Sequence, residues 1–328
     1  MKKAQYTERG PVPQASIECI ECPDPVLTEG QVLLQVLAAP INPADVLTLT
    51  GYYGSLPPLP AIGGMEGVGK VVAHGPGVRA PAIGQTVLLP AGAGTWATHL
   101  VAKAGKLISV PNDADPLQLA MMTLNPPTAS LMLSEFVALQ PGEWVLQNAA
   151  NSGVGEYLVQ LARLRGLKSV NVVRREAAVA TVEQCRGDVV LVDGPDLDRR
   201  VAAATGETKI RLAIDAIGGQ ATNRLAGCLA EGGTLVNYGV MSGEDCVVSP
   251  RSFVFRDVTL RGFWLALWFR KATPQQQMAI FGEIGKLIAT GQLKARIHAT
   301  YDLPQIKQAV AAAAAGERAG KVLVVPKC

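Results

Sequence analysis

Short apolar runs separated by Gly- and Pro-containing turns dominate the first third of the chain. Three of these runs cover residues 31–37, 67–72 and 86–89, and the turn cluster Gly75-Pro76-Gly77 lies between the last two. Short runs bounded by turn residues predict β-strands, and many of them in succession are typical of a barrel-like sheet. We therefore predict a β-rich lobe over residues 1–118.

The pattern changes near residue 119, where apolar runs begin to alternate with helical segments. Predicted strands cover residues 189–193, 212–217, 233–239 and 321–325, and predicted helices cover 221–229 and 309–315. This order predicts an α/β fold with a doubly wound parallel sheet. Because ligands of such sheets bind beyond the carboxyl ends of the strands, we expect Gly218 and Tyr238-Gly239 to face a cofactor.

The segment 144–175 has the pattern of a strand, a tight turn, a helix and a second strand. Apolar residues 144–146 precede the turn, the helix carries Leu158 and Leu161 on one face, and a second apolar run covers 170–173. Together these elements predict one βαβ unit of the kind that binds dinucleotides.

The turn of this unit carries small residues where a dinucleotide fingerprint carries glycines. Ala149, Ser152 and Gly155 hold the spacing, and Gly153 lies beside them. Small residues let the backbone approach a pyrophosphate, and the N-terminus of the following helix presents N–H groups and a partial positive charge. The flanking strands make this motif far more specific than a Gly-rich turn alone.

The end of the second strand indicates which dinucleotide binds. An NAD site has an acidic residue there for the ribose 2′-hydroxyl, whereas this chain has Arg174 and Arg175. A guanidinium group matches a 2′-phosphate, so the cofactor is predicted to be NADPH. The alternative is that the two arginines are only solvent-exposed residues at the end of a strand and bind no phosphate.

Composition and charge exclude several classes of protein. The chain has 328 residues, 48% of them hydrophobic and 17% charged, which indicates a globular protein with two lobes. A formal net charge of +3 is too small to indicate a nucleic-acid partner. No apolar run reaches the roughly 18 residues that a membrane span requires. The N-terminal residues lack the apolar core of a signal peptide, so we expect a soluble, cytoplasmic protein.

Six motifs along the chain occur together in one known family. They are Ile41-Asn42-Pro43-Ala44-Asp45, Gly51-Tyr52-Tyr53-Gly54, Leu124-Asn125-Pro126-Pro127-Thr128-Ala129, Gln147-Asn148-Ala149-Ala150-Asn151-Ser152-Gly153-Val154-Gly155, Asn171-Val172-Val173-Arg174 and Arg261-Gly262-Phe263-Trp264-Leu265. With the return strand that begins Gly320-Lys321-Val322, the chain resembles the medium-chain dehydrogenases/reductases over essentially its whole length. Within them it resembles the zinc-independent, NADPH-dependent trans-2-enoyl thioester (CoA or ACP) reductases. The resemblance implies a Rossmann domain at 119–289 and a GroES-like β-barrel catalytic domain formed by 1–118 and 290–328.

The same comparison of motifs implies that no metal is bound. Zinc-binding members place a cysteine before the aspartate of the first motif, a His-Glu pair in the second and a cysteine near the lobe junction. This chain has Asn42, Met65-Glu66 and Asn125 in the corresponding segments, so it lacks the N and S ligands that zinc requires. We interpret Asp45 and Glu66 as structural groups rather than general bases.

The resemblance implies a set of NADPH-binding residues and a homodimer. The expected cofactor-binding residues are Asn125, Asn151, Ser152, Gly153, Val154, Arg174, Arg175, Tyr238, Gly239, Val240, Met241, Phe263, Trp264, Leu265 and Lys321. Family members often carry Arg-Asp-Arg after the second strand, whereas this chain has Arg174-Arg175-Glu176, which leaves open which side chains bind the phosphate. Relatives often form dimers through the nucleotide-binding lobe.

The reaction implied by the resemblance reduces the C=C bond of a 2-enoyl thioester. Hydride is transferred to Cβ, negative charge builds on the thioester oxygen and Cα, and a donor must stabilise that oxygen while a proton reaches Cα. Tyr53 matches the catalytic tyrosine of the family, and Tyr52 ranks second. The run Phe263, Trp264, Leu267, Trp268 and Phe269 either lines an acyl slot or belongs to the core. Arg270 and Lys271 either bind the phosphates of CoA or acyl-carrier protein or form an exposed turn.

Two other functions stay open at this point. The same scaffold serves NADPH:quinone oxidoreductases and reductases of small activated alkenes such as haloacrylates, since a fold does not determine a substrate. A non-catalytic protein that binds NADPH is the third alternative, although the retained Tyr53 argues against it.

Overall fold

The computed structural model describes residues 1–316 and 318–327 and divides the chain into two compact units. The first unit contains residues 1–124 and 281–328, and the second contains 125–280. The domain boundaries expected from the sequence, 118/119 and 289/290, differ by six and nine residues from this division, at 124/125 and 280/281, and stay a prediction. No helix among the described residues is long and apolar enough to cross a bilayer.

The strands and helices follow the expected order. The strands are β1 (Lys2–Tyr6), β2 (Ile17–Glu21), β3 (Gln31–Ile41), β4 (Ala61–Ile62), β5 (Val68–His74), β6 (Thr86–Leu88), β7 (His99–Lys103), β8 (Ile108–Ser109), β9 (Trp144–Gln147), β10 (Lys168–Val173), β11 (Val189–Val192), β12 (Leu212–Asp215), β13 (Thr234–Asn237), β14 (Thr259–Gly262), β15 (Ile297–Tyr301) and β16 (Lys321–Val324). The helices are α1 (Pro43–Thr50), α2 (Pro116–Leu119), α3 (Asn125–Met132), α4 (Gly153–Leu164), α5 (Val179–Gln184), α6 (Leu197–Thr205), α7 (Gly219–Cys228), α8 (Pro250–Arg256), α9 (Leu265–Lys271), α10 (Pro274–Ala289) and α11 (Ile306–Ala314).

The first unit is built around the long strand β3. Its side chains alternate between the core and a half-buried face, with Val32, Leu34 and Val36 in the core, which is the period of two that a strand imposes. β3 pairs with β5, β7 and the late strand β16, all antiparallel, within a seven-stranded sheet. A separate three-stranded sheet has the order β2-β1-β4. Trp96 is the largest fully buried side chain of this core.

The second unit contains a six-stranded parallel sheet in the order β11-β10-β9-β12-β13-β14. All four residues of β9 are buried, as expected for a strand covered by helices on both faces. The strand order reverses between β9 and β12, and in sheets of this kind a ligand binds at that reversal. The expected α/β fold class with a doubly wound Rossmann sheet is confirmed.

Candidate active site

The turn between β9 and α4 has the geometry of a phosphate-binding site. The Ser152 hydroxyl accepts a hydrogen bond from the Gly155 amide at 3.1 Å and caps α4. A Cβ at Gly155 would lie 2.6 Å from the Ala150 carbonyl oxygen, so only glycine fits where the helix packs against the turn. The expected residues Asn151, Ser152, Gly153 and Val154 are half-buried at this helix N-terminus, where N–H groups and the helix dipole attract an anion.

Arg174 and Arg175 lie at the same edge of the sheet as this turn. β10 runs parallel to β9 and ends at Val173, so the carboxyl ends of the two strands are neighbours. Both arginines are exposed. The position and the charge match an adenosine ribose that carries a 2′-phosphate.

Asp215 holds the carboxyl ends of three strands together in what we name the Asp215 network, formed with Asn148, Thr222 and Asn237. The Asp215 carboxyl group is 0% exposed and accepts hydrogen bonds from Asn148 Nδ2 at 2.6 Å, Thr222 Oγ1 at 2.6 Å and Asn237 Nδ2 at 3.0 Å. It also accepts from the Ile217 amide at 2.9 Å. The network fixes the ends of β9, β12 and β13, which surround the expected cofactor site.

The segment after β13 is tied to the segment after β12. The Tyr238 amide donates to the Asp215 carbonyl at 2.9 Å, and the Met241 amide donates to the Ala216 carbonyl at 3.0 Å. A Cβ at Gly239 would lie 2.8 Å from that Ala216 oxygen, which explains the glycine. Val240 and Met241 are exposed, so their side chains are accessible to a ligand.

Tyr238 connects this segment to the start of α4. Burial raises the pKa of the Tyr238 phenol, and a hydrogen bond with the Ser152 side chain opposes this shift. Two of the expected cofactor-binding residues therefore lie near each other.

The expected residues Phe263, Trp264 and Leu265 follow β14. The Phe263 amide donates to the Asn237 carbonyl at 2.8 Å, and the Phe263 ring meets the Phe136 ring edge-on with centroids 6.0 Å apart. The Arg270 guanidinium lies over the Trp264 ring, 5.4 Å from its centroid. Leu265 is buried, whereas Phe263 and Trp264 are half-buried.

Tyr52 and Tyr53 follow α1 in the first unit. The helix ends at Gly51, and the Tyr52 and Tyr53 amides both donate to the Leu47 carbonyl, at 2.9 and 3.2 Å. Tyr52 is 81% exposed, whereas Tyr53 is half-buried.

A buried polar cluster lies in the same unit, and we name it the Glu66 cluster: Asn42, Asp45, Glu66, Thr123 and Lys321. The Lys321 ammonium, expected to bind cofactor, donates a hydrogen bond to Asn42 Oδ1. Burial raises the pKa of Asp45 to about 7, with Glu66 adding to the shift and Lys321 opposing it. Burial also raises the pKa of Glu66, again opposed by Lys321.

The expected site residues are thus distributed over both units. Tyr53 and Lys321 belong to the first unit, and Asn125, the first residue of α3, begins the second together with all other expected cofactor-binding residues. Sequence reasoning did not identify the Asp215 network or Thr123, whose hydroxyl donates a hydrogen bond to Glu66 Oε2 at 2.9 Å. In the described part of the chain, no three His, Cys, Asp or Glu side chains come together as a metal site; the absence of a metal stays a prediction.

Comparison with known families defines the class of the protein. The family described as "Alcohol dehydrogenase GroES-like domain" matches residues 28–112, and the family described as "Zinc-binding dehydrogenase" matches residues 153–281. A GroES-like unit with a doubly wound nucleotide-binding unit defines the medium-chain dehydrogenases/reductases.

Individual relatives identify the branch. The chain is 38% identical over 292 residues to the mitochondrial enoyl-[acyl-carrier-protein] reductase of Rattus norvegicus, covering 86% of this chain and 78% of that protein. The chain therefore belongs to the zinc-independent 2-enoyl thioester reductase branch of the medium-chain dehydrogenases/reductases.

Solved structures share the complete fold. The mitochondrial 2-enoyl thioester reductase Etr1p/Etr2p heterodimer of Candida tropicalis has a TM-score of 0.85 and 25% identity, covering 99% of both chains. Mycobacterial Rv1454c complexed with NADPH has a TM-score of 0.86 and 26% identity, covering 99% of this chain and 100% of that chain. A presumed NADPH:quinone reductase of Bacillus thuringiensis has a TM-score of 0.90 and 29% identity, covering 99% of both chains.

Proposed function

We propose that this protein uses NADPH to reduce the C=C bond of 2-enoyl thioesters. The observation that carries the proposal is the 38% identity to a rat enoyl-[acyl-carrier-protein] reductase, over 86% of this chain. Such a reduction requires a proton donor and a site that binds the cofactor. The first unit supplies a tyrosine for the first role, and the second unit supplies a phosphate-binding turn for the second.

The second unit has the features that hold NADPH. The N-terminus of α4 binds the pyrophosphate, and Arg174 with Arg175 binds the 2′-phosphate. The close approach at Gly155 supports this assignment, because it keeps the backbone of the turn accessible. NADPH, when bound, supplies the hydride for Cβ of the enoyl group.

Tyr53 stabilises the negative charge that develops on the thioester oxygen of the substrate. Its phenol O–H donates a hydrogen bond to the thioester oxygen and assists protonation of Cα. Its partial burial supports this role over Tyr52, because a phenol excluded from bulk water interacts more strongly with developing charge.

The test is NADPH oxidation with crotonyl-CoA, a quinone and a substituted acrylate as alternative acceptors. We expect turnover with crotonyl-CoA to exceed turnover with the other two. A higher rate with the quinone would favour the second candidate, which the likeness to the Bacillus thuringiensis protein supports. NADPH binding without turnover on any acceptor would indicate a binding protein.

The carrier of the acyl group is recognised, in this proposal, by Arg270 and Lys271. Arg270 is exposed and stacked on Trp264, which orients the guanidinium group next to a segment expected to bind cofactor.

We expect Arg270→Ala to raise the KM for crotonyl-CoA and to leave the KM for crotonyl-N-acetylcysteamine, which has no phosphate, unchanged. Arg251→Ala is the control for loss of one exposed arginine. An equal effect of Arg270→Ala on both thioesters would contradict phosphate recognition.

The assembly is proposed to be a homodimer formed along β14. This strand is the edge of the six-stranded sheet, and α8 before it exposes Phe253, Val254 and Phe255. An edge strand beside exposed apolar side chains is suited to pairing with a second copy. Light scattering after gel filtration should give the mass of a dimer, and Phe255→Asp should give a monomer. A monomeric wild-type protein would exclude this assembly.

The cellular location is a separate proposal. The sequence predicts a cytoplasmic protein, whereas the name of the rat relative places that protein in mitochondria. Cell fractionation with an antibody against this protein distinguishes the two compartments.

A further inference from the structure

Thr123 and Leu124, which end the first of the two segments that form the first unit, are held by a single carboxyl group. Glu66 Oε2 accepts hydrogen bonds from the Thr123 amide at 3.1 Å, the Thr123 hydroxyl at 2.9 Å and the Leu124 amide at 3.0 Å. The next residue along the chain is Asn125, which begins α3 and is expected to bind NADPH.

Glu66 is itself fixed on its other side. Its Oε1 accepts from Asn42 Nδ2 at 2.9 Å, and Asn42 Oδ1 in turn accepts from the Lys321 ammonium. Its backbone carbonyl accepts from the Thr95 hydroxyl at 2.7 Å, and the residue is 0% exposed. The carboxyl group therefore has a determined position from which to orient Thr123 and Leu124.

The donors around Glu66 explain why a carboxylate is required. Four N–H or O–H groups point at its two oxygens. A carboxylate accepts at both oxygens, whereas an amide of the same shape accepts at only one and would set an N–H₂ group against a donor. Lys321 balances the buried negative charge, because an uncompensated charge in the interior is strongly unfavourable.

We propose that Glu66 is a positioning residue for Asn125: by fixing Thr123 and Leu124 it sets where α3 begins and keeps Asn125 in place for NADPH. The inference rests on the proposed use of NADPH. It assigns Glu66 no contact with the reacting atoms. Its loss should therefore weaken NADPH binding, and raise the KM for NADPH, more than it lowers kcat at saturating cofactor.

The experiment measures the Kd for NADPH by isothermal titration calorimetry, with the melting temperature recorded in parallel. Glu66→Gln should weaken NADPH binding about tenfold, the effect of losing one hydrogen bond to a charged group. Thr123→Val removes only the hydroxyl donor and should weaken binding by a smaller factor, and Thr123→Ser should restore it. Amide hydrogen exchange at residues 123–125 should accelerate in the Glu66→Gln variant.

Thr205→Val is the matched control. Thr205 is a buried threonine of α6 whose hydroxyl donates to the Val201 carbonyl at 2.9 Å, far along the chain from the Glu66 cluster. This variant loses a comparable hydrogen bond, so it should lower the melting temperature and leave the Kd for NADPH unchanged.

The inference would be overturned if Glu66→Gln and Thr123→Val both bound NADPH with wild-type affinity while their melting temperatures were lowered. Glu66 would then have a purely structural role. If Glu66→Gln does not fold, Thr123→Val decides by the same criterion. Failure of the proposed function has a different result, namely wild-type protein that binds NADPH and reduces no enoyl thioester.

Discussion

Tyr52 and Tyr53 are adjacent residues with the same side chain and different surroundings. Both amides bond to one carbonyl at the end of α1, yet one ring is 81% exposed and the other is half-buried. A phenol that stabilises an oxyanion acts best where water is excluded. The difference in exposure therefore gives each tyrosine a different expected role.

Replacing Tyr53 by Phe removes the hydroxyl and keeps the ring. We expect kcat with crotonyl-CoA to fall about 100-fold, within the usual range for losing a general acid, while the Kd for NADPH stays the same. Tyr52→Phe is the control and should retain nearly full turnover. Undiminished turnover in Tyr53→Phe would remove this residue from the mechanism.

Arg174 and Arg175 determine which dinucleotide binds, in the proposed site. Replacing both by Ala should raise the KM for NADPH by about 100-fold or more, since each charged hydrogen bond to a phosphate contributes on the order of 1.5–3 kcal/mol. The KM for NADH, which has no 2′-phosphate, should not rise. An equal rise in the KM for both cofactors would show that the arginines do not recognise the 2′-phosphate and are only solvent-exposed residues at the strand end.

At the scale of elements, the apolar runs located most of the strands. The predicted strands at 189–193 and 212–217 correspond to β11 (Val189–Val192) and β12 (Leu212–Asp215), because a strand covered on both faces needs a continuous apolar run. The predicted helix at 309–315 begins earlier, at Ile306, since Ile306 and Val310 add to its buried face.

The Asp215 network shows why the rest was not predictable. Asp215 lies 67 residues from Asn148, 7 from Thr222 and 22 from Asn237. Each polar residue by itself is ordinary at a strand end or in a first helical turn. Only the parallel register of β9, β12 and β13 brings them together, and no local pattern encodes that register.

Replacing Asp215 by Asn tests how strongly this network holds the sheet. One oxygen becomes an N–H₂ group that faces a donor. We therefore expect the free energy of unfolding, measured with urea, to fall by about 3 kcal/mol. Thr222→Val removes a single donor and should cost about 1 kcal/mol. A loss in Asp215→Asn no larger than in Thr222→Val would contradict the view that the carboxyl group unites several strands.

At the scale of the whole molecule, the buried Asp45 couples stability to pH. Its pKa rises from 3.8 to about 7 in the folded protein, mainly through burial. The folded state therefore retains a proton that the unfolded chain releases, and stability falls as the pH rises through this window. Each unit of pKa difference corresponds to about 1.4 kcal/mol. Glu66 and Lys321 are the charged neighbours that modulate the effect.

Asp45→Asn removes this titration and keeps a side-chain oxygen as an acceptor. In the wild type the backbone amide of Asn42 donates to Asp45 Oδ2 at 2.7 Å. The free energy of unfolding of wild type relative to this variant should decrease between about pH 4 and pH 7 and then level off. Urea unfolding at a series of pH values measures the difference. Parallel curves for the two proteins would show that Asp45 does not titrate in this range.

The late strand β16 has a consequence for synthesis of the protein on the ribosome. Val322, Leu323 and Val324 are fully buried and pair with residues 39–41 of β3, which are translated about 280 positions earlier. The nascent chain can complete the nucleotide-binding unit, residues 125–280, while the other unit still lacks this strand. Until β16 has been synthesised, the emerging polypeptide therefore presents an open, apolar sheet edge of the kind that chaperones bind.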